Sequence, residues 1–298
     1  MSFADAFANM NKPKNEKFDK NQKQQHQNAQ QLKKEEKPKE FKAKPNIGWL
    51  FYKDYFSNLT NGDYQLMLLS KEEKKQKKIE IEAIESKIDQ KVLNLISQSF
   101  NTQKPKNLGN SSFELKTTYP GLLVGSGNTH ELPDTKGQAI LGFHFDYTSG
   151  LPEIAGSSIK GVLRSAFEHP EYIQSILDDK SCDVKKLELE IFGQDSKSGE
   201  VVAGKDIFFD AIITKGGKNN KILGDDFITP HKEATKNPIP LRFIKVLPEV
   251  TFDFRFTLQC GLITKEQKEH LFRQIIIDLG LGAKTNVGYG KFQEVKNK

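Results

Sequence analysis

The sequence predicts an α+β fold in which helices cover one face of an antiparallel sheet. Three observations favour this class. Strand-like segments rich in β-branched and aromatic residues recur after residue 110, amphipathic helical patterns are interleaved with them, and the alternation lacks the regular βαβ rhythm of a parallel sheet. The chain has 298 residues, of which 36% are hydrophobic and 21 are Phe, and this is enough for a real core.

The first 44 residues differ in composition from the rest and predict a disordered basic tail. They are rich in Lys, Gln, Asn and Glu and nearly free of aliphatic side chains, so they cannot bury enough apolar surface to offset chain entropy. Residues 1–45 contain 11 Lys and 6 acidic residues, which supply +5 of the net charge of +6. We therefore expect one nearly neutral folded domain over residues 45–298.

Helical periodicity predicts the elements that pack on the sheet. A long helix is predicted over about residues 70–100, where Ser70 and Glu73 fit a capping box. Its apolar stripe recurs at spacings of three and four residues and consists of Ile81, Ile84, Ile88, Val92, Leu95 and Ile96. Further helices are predicted over 157–168 with Ser157 as N-cap, 171–178, 184–192 and 264–282, the last with a capping box of Thr264 and Gln267.

Strands are predicted where β-branched and aromatic residues lie between turn-forming residues. These segments are 112–128, 138–150, 206–214, 241–260 with a break at Pro248, and 289–295. A ferredoxin-like topology of the kind found in RNA-recognition-motif (RRM) domains, with insertions, is compatible with this order of elements.

The segment from Gly156 to Arg164 (GSSIKGVLR) has the features of a phosphate-binding helix start. Gly156 allows the backbone to turn, Ser157 and Ser158 can cap, and the first free N–H groups of a helix point outward. Lys160 and Arg164 are four residues apart and therefore share a helix face. An ordinary capped helix with two solvated cations is the alternative, and the spacing leaves both interpretations open.

A second glycine-rich segment, residues 280–290 (GLGAKTNVGYG), follows the last predicted helix. The backbone of such a loop can approach a sugar–phosphate chain closely. The candidate binding residues are Gly280, Gly282, Lys284, Thr285, Asn286, Gly288, Tyr289 and Gly290. The alternative is a C-cap glycine followed by a turn into the last strand. Neither the Walker A motif nor the dinucleotide fingerprint fits this segment.

The two segments resemble the signatures of a known family. GLPEIAGSSIKGVLRSAFE (150–168) and LGAKTNVGYGKF (281–292) are similar to the signature and the C-terminal glycine-rich loop of the RAMP superfamily of CRISPR-associated proteins. Further matches are IFG at 191–193, DIFFDA at 206–211, TPH at 229–231 and NPIPL at 237–241. These resemble most the sixth-subunit family of the type III-B Cmr complex, and the resemblance spans about residues 45–295.

The resemblance implies an RRM-like core in a ribonucleoprotein of antiviral defence. It implies a structural subunit that binds guide RNA near its 3′ part and caps the backbone filament, beside the repeated fourth and the small fifth subunit, with target RNA as a further partner. By position, Lys160, Arg164 and the 280–290 loop would contact the guide backbone, which positions RNA without reading its sequence. His130 and His231 are further candidate RNA contacts.

The sequence predicts no catalytic centre and no cofactor. Two enzymatic alternatives stay open: an endoribonuclease with His130 or His231 as general base, and, by the resemblance, a target-cleaving backbone subunit that uses Asp134 or Asp146.

The composition also restricts metal binding and location. Cys182 and Cys260 are isolated and provide neither a disulfide framework nor a zinc site. No apolar run approaches the roughly 18 residues of a spanning helix, and the N-terminus lacks a secretory signal. We therefore expect a cytoplasmic protein without a bound metal.

Overall fold

The computed structural model describes residues 46–100, 108–125, 130–133, 135–140, 142–194, 201–229 and 240–295. The predicted tail, Asp134 and His231 lie outside the described residues. Within them, the fold is a mixed α/β arrangement with an antiparallel sheet and packed helices, as the sequence predicts.

The helices lie in two parts of the chain, before and after the first strand. In chain order they are α1 (Ile47–Tyr52), α2 (Asn61–Met67), α3 (Lys71–Gln76), α4 (Lys78–Ser97), α5 (Gly156–Ser165), α6 (Pro170–Leu177), α7 (Val184–Phe192) and α8 (Lys265–Leu279). The single helix predicted over 70–100 is two helices, because Lys77 has a non-helical backbone (φ −107°, ψ 36°). The capping boxes at Ser70 and Thr264 are confirmed. None of the described helices is long and apolar enough to cross a membrane.

The strands form one larger sheet and two small ones. In chain order they are β1 (Ser111–Thr117), β2 (Glu153–Ile154), β3 (Gly193–Gln194), β4 (Val202–Ala203), β5 (Ile207–Phe208), β6 (Ala211–Lys215), β7 (Leu223–Ile228), β8 (Leu241–Val246), β9 (Thr251–Thr257) and β10 (Phe292–Glu294). The larger sheet has the order β10-β1-β9-β6-β2, and β5 pairs with the end of β9; all pairs are antiparallel. The elements β1-α5-β6-β9-α8-β10 thus follow a β-α-β-β-α-β order, with β1 and β9 at the centre.

One face of the larger sheet forms the main core. Helix α8 packs against β1 and against α5 and α6, and the buried rings between helix and sheet are Phe113, Phe252, Phe254, Phe256 and Phe272. Fully burying one such ring stabilises the fold by about 1.5–3 kcal/mol.

The other face of the central strands is polar. Strand alternation puts Glu114 and Lys116 of β1 on this face, together with Asp253 and Arg255 of β9. Asp253 and Arg255 form a buried ion pair of 2.8 Å between Arg255 Nε and Asp253 Oδ2.

The prediction of a strand over residues 138–150 is wrong. Its described residues bond to several separate partners. Among these contacts are Ile140 N–H to Arg242 O, His144 N–H to Val124 O, and a single bridge between Phe145 and Pro152. Because no one strand runs alongside it, the segment is extended but irregular.

The hairpin of β7 and β8 is attached to α4 by a buried guanidinium. Arg242 Nη1 lies 2.6 Å from Asp89 Oδ1 on α4 and donates to the Gly137 carbonyl at 2.9 Å. Its Nη2 lies 2.8 Å from Asp225 on β7. This hairpin is the surface on which the glycine-rich loop after α8 rests.

Candidate nucleic-acid interface

The start of α5 differs from the predicted phosphate-binding site. The helix begins at Gly156, so Ser157 lies inside it and is not the N-cap. The Gly156 N–H donates to Asp210 Oδ1 at 2.7 Å, and a Cβ on Gly156 would lie 2.4 Å from the Phe208 carbonyl oxygen. The glycine therefore allows α5 to pack closely on β5, and a carboxylate already occupies the place of an anion at this helix start. The predicted role of Gly156 is corrected accordingly.

The other polar residues of α5 remain accessible to different degrees. Ser157 and Ser158 are exposed. Arg164 is paired, because its Nε donates to Glu188 Oε1 on α7 at 2.9 Å. Lys160 is half-buried with its Nζ 6.0 Å from the centre of the Phe208 ring, and it has no carboxylate partner among the described residues. Of these two cations, Lys160 is therefore the one whose charge is not paired with a described carboxylate.

The base of the glycine-rich loop is closed by backbone hydrogen bonds. Leu281 N–H donates to Gly290 O at 2.9 Å, Ala283 N–H to Leu123 O at 2.9 Å, and Gly290 N–H to Gly121 O at 2.8 Å. A Cβ on Gly290 (φ +70°) would lie 1.8 Å from the Leu281 oxygen. Gly290 is thus required for the loop to close, rather than for the approach of a ligand. The loop packs on the segment 121–123.

Three further glycines of this loop also have left-handed backbone. Gly280 is the C-cap of α8, which is the alternative role foreseen for it. A Cβ on Gly282 (φ +85°) would lie 2.3 Å from the Leu123 carbonyl oxygen, so this glycine serves the contact with 121–123. Gly288 (φ +97°) ends a short 3-10 turn over Thr285–Val287.

Residues 282–284 and 286–287 of the loop face solvent, and residues 284–286 form its tip. Lys284 and Asn286 are exposed, and Thr285 is half-buried. Lys284 has no ion-pair partner among the described residues, and the backbone N–H groups of Thr285 and Asn286 donate to none of them. The tip therefore offers one cation and two backbone donors to a ligand.

Tyr289 belongs to the interior and is a correction to the predicted binding set. The residue is 8% exposed, and its hydroxyl donates to Asp226 Oδ2 at 2.7 Å. The same Asp226 oxygen accepts from Lys245 of β8. Burial, together with the neighbouring Asp226, raises the pKa of Tyr289 above its usual range. The residue fastens the loop to the β7–β8 hairpin.

His130 is also buried, which corrects its candidate role as an RNA contact or general base. Its ring stacks on Phe51 with centroids 3.9 Å apart, and Nε2 lies 2.7 Å from the Phe51 carbonyl oxygen. Burial lowers the pKa of His130, so the neutral ring donates Nε2–H to that oxygen. His231 lies outside the described residues.

The structure places the two glycine segments apart. Gly156 packs against Phe208, which pairs with Phe256 near the end of β9. The loop is attached instead to residues 121–123, which pair with Val246 just before β9 begins. The seven residues of β9 span about 20 Å. A single ligand reaches both segments only if it is long.

Sequence reasoning missed Tyr119, which is 84% exposed beside this loop. The preceding Thr118 N–H donates to Lys291 O at 2.9 Å, so the segment is anchored to the chain just after the loop. In the sequence, TYPG at 118–121 is typical of a turn and attracts no further notice. The signal for an exposed aromatic side chain was the position of Tyr119 within this turn.

Comparison with known proteins identifies the family. The family model described as the RAMP superfamily matches residues 114–293, which is more than half of the chain. The chain belongs to the RAMP superfamily. The match contains both glycine segments of this RAMP protein, α5 and the loop after α8.

Among curated proteins, this RAMP protein is similar to Cmr6 subunits. It is 28% identical to the CRISPR system CMR subunit Cmr6 of Saccharolobus solfataricus over 251 residues, which cover 77% of this chain and 78% of the relative. It is 32% identical to the Cmr6 subunit of Pyrococcus furiosus over 142 residues, 42% of this chain and 39% of that protein.

A solved structure from a Cmr complex illustrates the fold of this RAMP protein. A chain in the cryo-EM structure of the Type III-B Cmr-β complex bound to cognate target RNA aligns with a TM-score of 0.50 and 24% identity, over 84% of this chain and 88% of that chain. At this identity the likeness concerns the fold alone.

Proposed function

We propose that this RAMP protein is a non-catalytic structural subunit of a cytoplasmic type III-B CRISPR (Cmr) effector and binds guide RNA near its 3′ part. The similarity to a named Cmr6 subunit over about three quarters of both chains supports the assignment to this complex. We also propose, from the resemblance of its motifs, that the subunit caps the backbone filament beside the fourth and fifth subunits and lies close to target RNA.

The RNA-binding part of this proposal rests on the side chains and backbone groups at the tip of the loop. Lys284 is exposed and unpaired among the described residues, and the two following N–H groups are free of described acceptors. A cation and backbone donors are the groups that proteins use on phosphate and sugar. Thr285 and Asn286 add a hydroxyl and an amide, which suit a 2′-hydroxyl.

The sheet gives no support for base reading by stacking. The β-α-β-β-α-β order is compatible with an RRM-like core, and RRM domains stack bases on aromatic residues of the sheet surface. Here the polar face of β1 and β9 carries Ser112, Glu114, Lys116, Thr251, Asp253 and Arg255. With no ring among these six residues, this face offers no stacking platform.

The environments of two candidate catalytic residues favour the non-catalytic assignment. His130 is neutral, buried and bonded to a backbone carbonyl, so it cannot reach a ribose hydroxyl without unfolding its surroundings. The Asp146 carboxylate accepts the Ser149 N–H at 2.6 Å and so stabilises a turn.

Affinity purification from the native host tests the proposal. The tagged full chain is purified, and the RNA and proteins that accompany it are sequenced and identified. We expect short RNAs with a common repeat-derived 5′ handle, together with other Cmr subunits. Recovery of the chain without RNA or these partners would contradict the assignment.

A further inference from the structure

One exposed aromatic ring lies beside the glycine-rich loop. Tyr119 is 84% exposed, in contrast to Tyr289 of the loop itself, which is buried. The next residue, Pro120, is close to the loop backbone, since a Cβ on Gly288 would lie 3.5 Å from Pro120 Cδ. The ring is therefore carried next to the loop, on its solvent side.

The backbone on either side of Tyr119 is held in place. Thr118 donates to Lys291 O through its N–H at 2.9 Å, and Gly121 O accepts the Gly290 N–H at 2.8 Å. A ring on a fixed segment binds with a small loss of conformational entropy.

The tip and the ring together offer two kinds of contact. Lys284 and the N–H groups of Thr285 and Asn286 suit a phosphate, and an exposed ring suits the face of a base. Single-stranded nucleic acids are bound by this combination of backbone contacts and stacking, which tolerates any sequence because every base has a π-face.

We propose that Tyr119 stacks on one unpaired base of the RNA whose backbone passes the loop tip. This inference rests on the proposed function and adds a base contact to it. The contact is independent of sequence, as a subunit that serves many guide sequences requires. The competing role of an exposed tyrosine, an anchor in a protein–protein interface, is an outcome of the test.

Binding of single-stranded RNA to the full chain tests the inference. The probe is a fluorescein-labelled 20-nucleotide oligouridine, measured by anisotropy at several salt concentrations. Tyr119→Ala should weaken binding by about 5- to 150-fold, with an unchanged salt slope because no phosphate contact is lost. Tyr119→Phe should bind within about twofold of the wild type, since the stacking face is kept.

The matched control is Tyr147→Ala, because Tyr147 is 98% exposed and lies outside the loop. The affinity of this variant for the oligouridine should be unchanged.

An abasic strand with the same number of phosphates completes the test. Tyr119→Ala and wild type should bind it equally, because no base remains to stack. Equal affinities of Tyr119→Ala and wild type for oligouridine would overturn the inference. A loss of affinity of Tyr119→Ala for the abasic strand as large as its loss for oligouridine would overturn it as well.

Loss of partner subunits on purification of Tyr119→Ala, with unchanged RNA affinity, would assign Tyr119 to a protein contact instead. If Lys284→Ala weakens RNA binding and Tyr119→Ala does not, only this inference fails; if the wild type binds no RNA, the proposed function fails.

Discussion

At the scale of single residues, burial divides the candidates that the sequence singles out. Tyr289 and His130 are buried and bonded to protein groups, whereas Lys284 and Asn286 are exposed. Motif position predicts that these residues matter. It cannot predict which ones face solvent, because that depends on the β7–β8 hairpin and on α1, which are distant in sequence.

Gly290→Ala should destabilise the protein by at least about 2 kcal/mol. The new Cβ would clash with the Leu281 oxygen and would force a left-handed backbone on alanine. The matched control is Gly161→Ala in α5, where a Cβ meets no atom within 4 Å; it should stabilise the helix by about 0.5–1 kcal/mol. Urea denaturation measures both free energies of unfolding. Equal stabilities of the two variants would contradict the account of the loop.

The buried neutral His130 predicts a dependence of stability on pH. Burial lowers its pKa in the folded state, so the unfolded chain, with a histidine pKa of about 6.5, binds the proton more readily. The stability that this difference contributes is present above about pH 7 and is lost as pH falls through the unfolded pKa toward 5. His130→Phe should show a smaller loss over this interval than wild type, as measured by urea denaturation at each pH.

The control for this pH dependence is His270→Gln, at an exposed helical position. It should keep the wild-type pH profile. Parallel profiles of His130→Phe and wild type would show that His130 does not titrate on unfolding.

At the scale of elements, the sequence predicts α7, α8 and the capping boxes well, because their periodicity and caps are local signals. It fails where an element depends on its partners. The segment 138–150 has strand composition, but its hydrogen bonds go to several separate parts of the chain. Residues 70–100 have one apolar stripe but a break at Lys77. The glycines of the loop were predicted to allow close approach of a ligand. In the structure, Gly290 and Gly282 instead allow close approach of other backbone segments of the chain.

Lys268→Met should destabilise the protein by about 3–5 kcal/mol. Lys268 on α8 is fully buried, with Nζ 2.8 Å from Asp206 Oδ2 and 3.4 Å from Glu190 Oε1 of α7. Removal of the cation leaves the buried Asp206 carboxylate without a counter-ion, whereas Glu190 keeps its ion pair with Lys205. Lys185→Met, at an exposed position of α7, is the matched control and should change stability by less than about 0.5 kcal/mol. A small effect of Lys268→Met in urea denaturation would contradict the structural role of this ion cluster.

Lys284→Ala should lower the salt dependence of RNA binding. Loss of one phosphate contact reduces the slope of log affinity against log salt by about 0.7 for a single strand, uniformly across guide sequences. Lys160→Ala should act in the same direction, and Arg164→Ala less, because Arg164 is already paired with Glu188. Lys185→Ala is the control and should leave the slope unchanged. A loss that depends on the guide sequence would argue for base reading instead.

At the scale of the whole molecule, the two motifs of the superfamily lie toward opposite ends of β9. The sequence alone suggested that they act on the same RNA backbone, and nothing local to either motif could reveal their separation. A long single-stranded RNA can follow the surface from one to the other, whereas a small ligand cannot. The other face of β1 and β9 carries no ring, and its β9 side chains are buried, so it offers no surface on which bases could stack.

Ultraviolet crosslinking of the purified effector to its own guide RNA, followed by mass spectrometry of the peptides, shows which residues of this chain contact the RNA. We expect nucleotide adducts on residues 280–291 and on the peptide that contains Tyr119, in wild-type complexes of different guide sequence alike. Adducts that fall elsewhere in this chain, with none on these two peptides, would contradict this expectation.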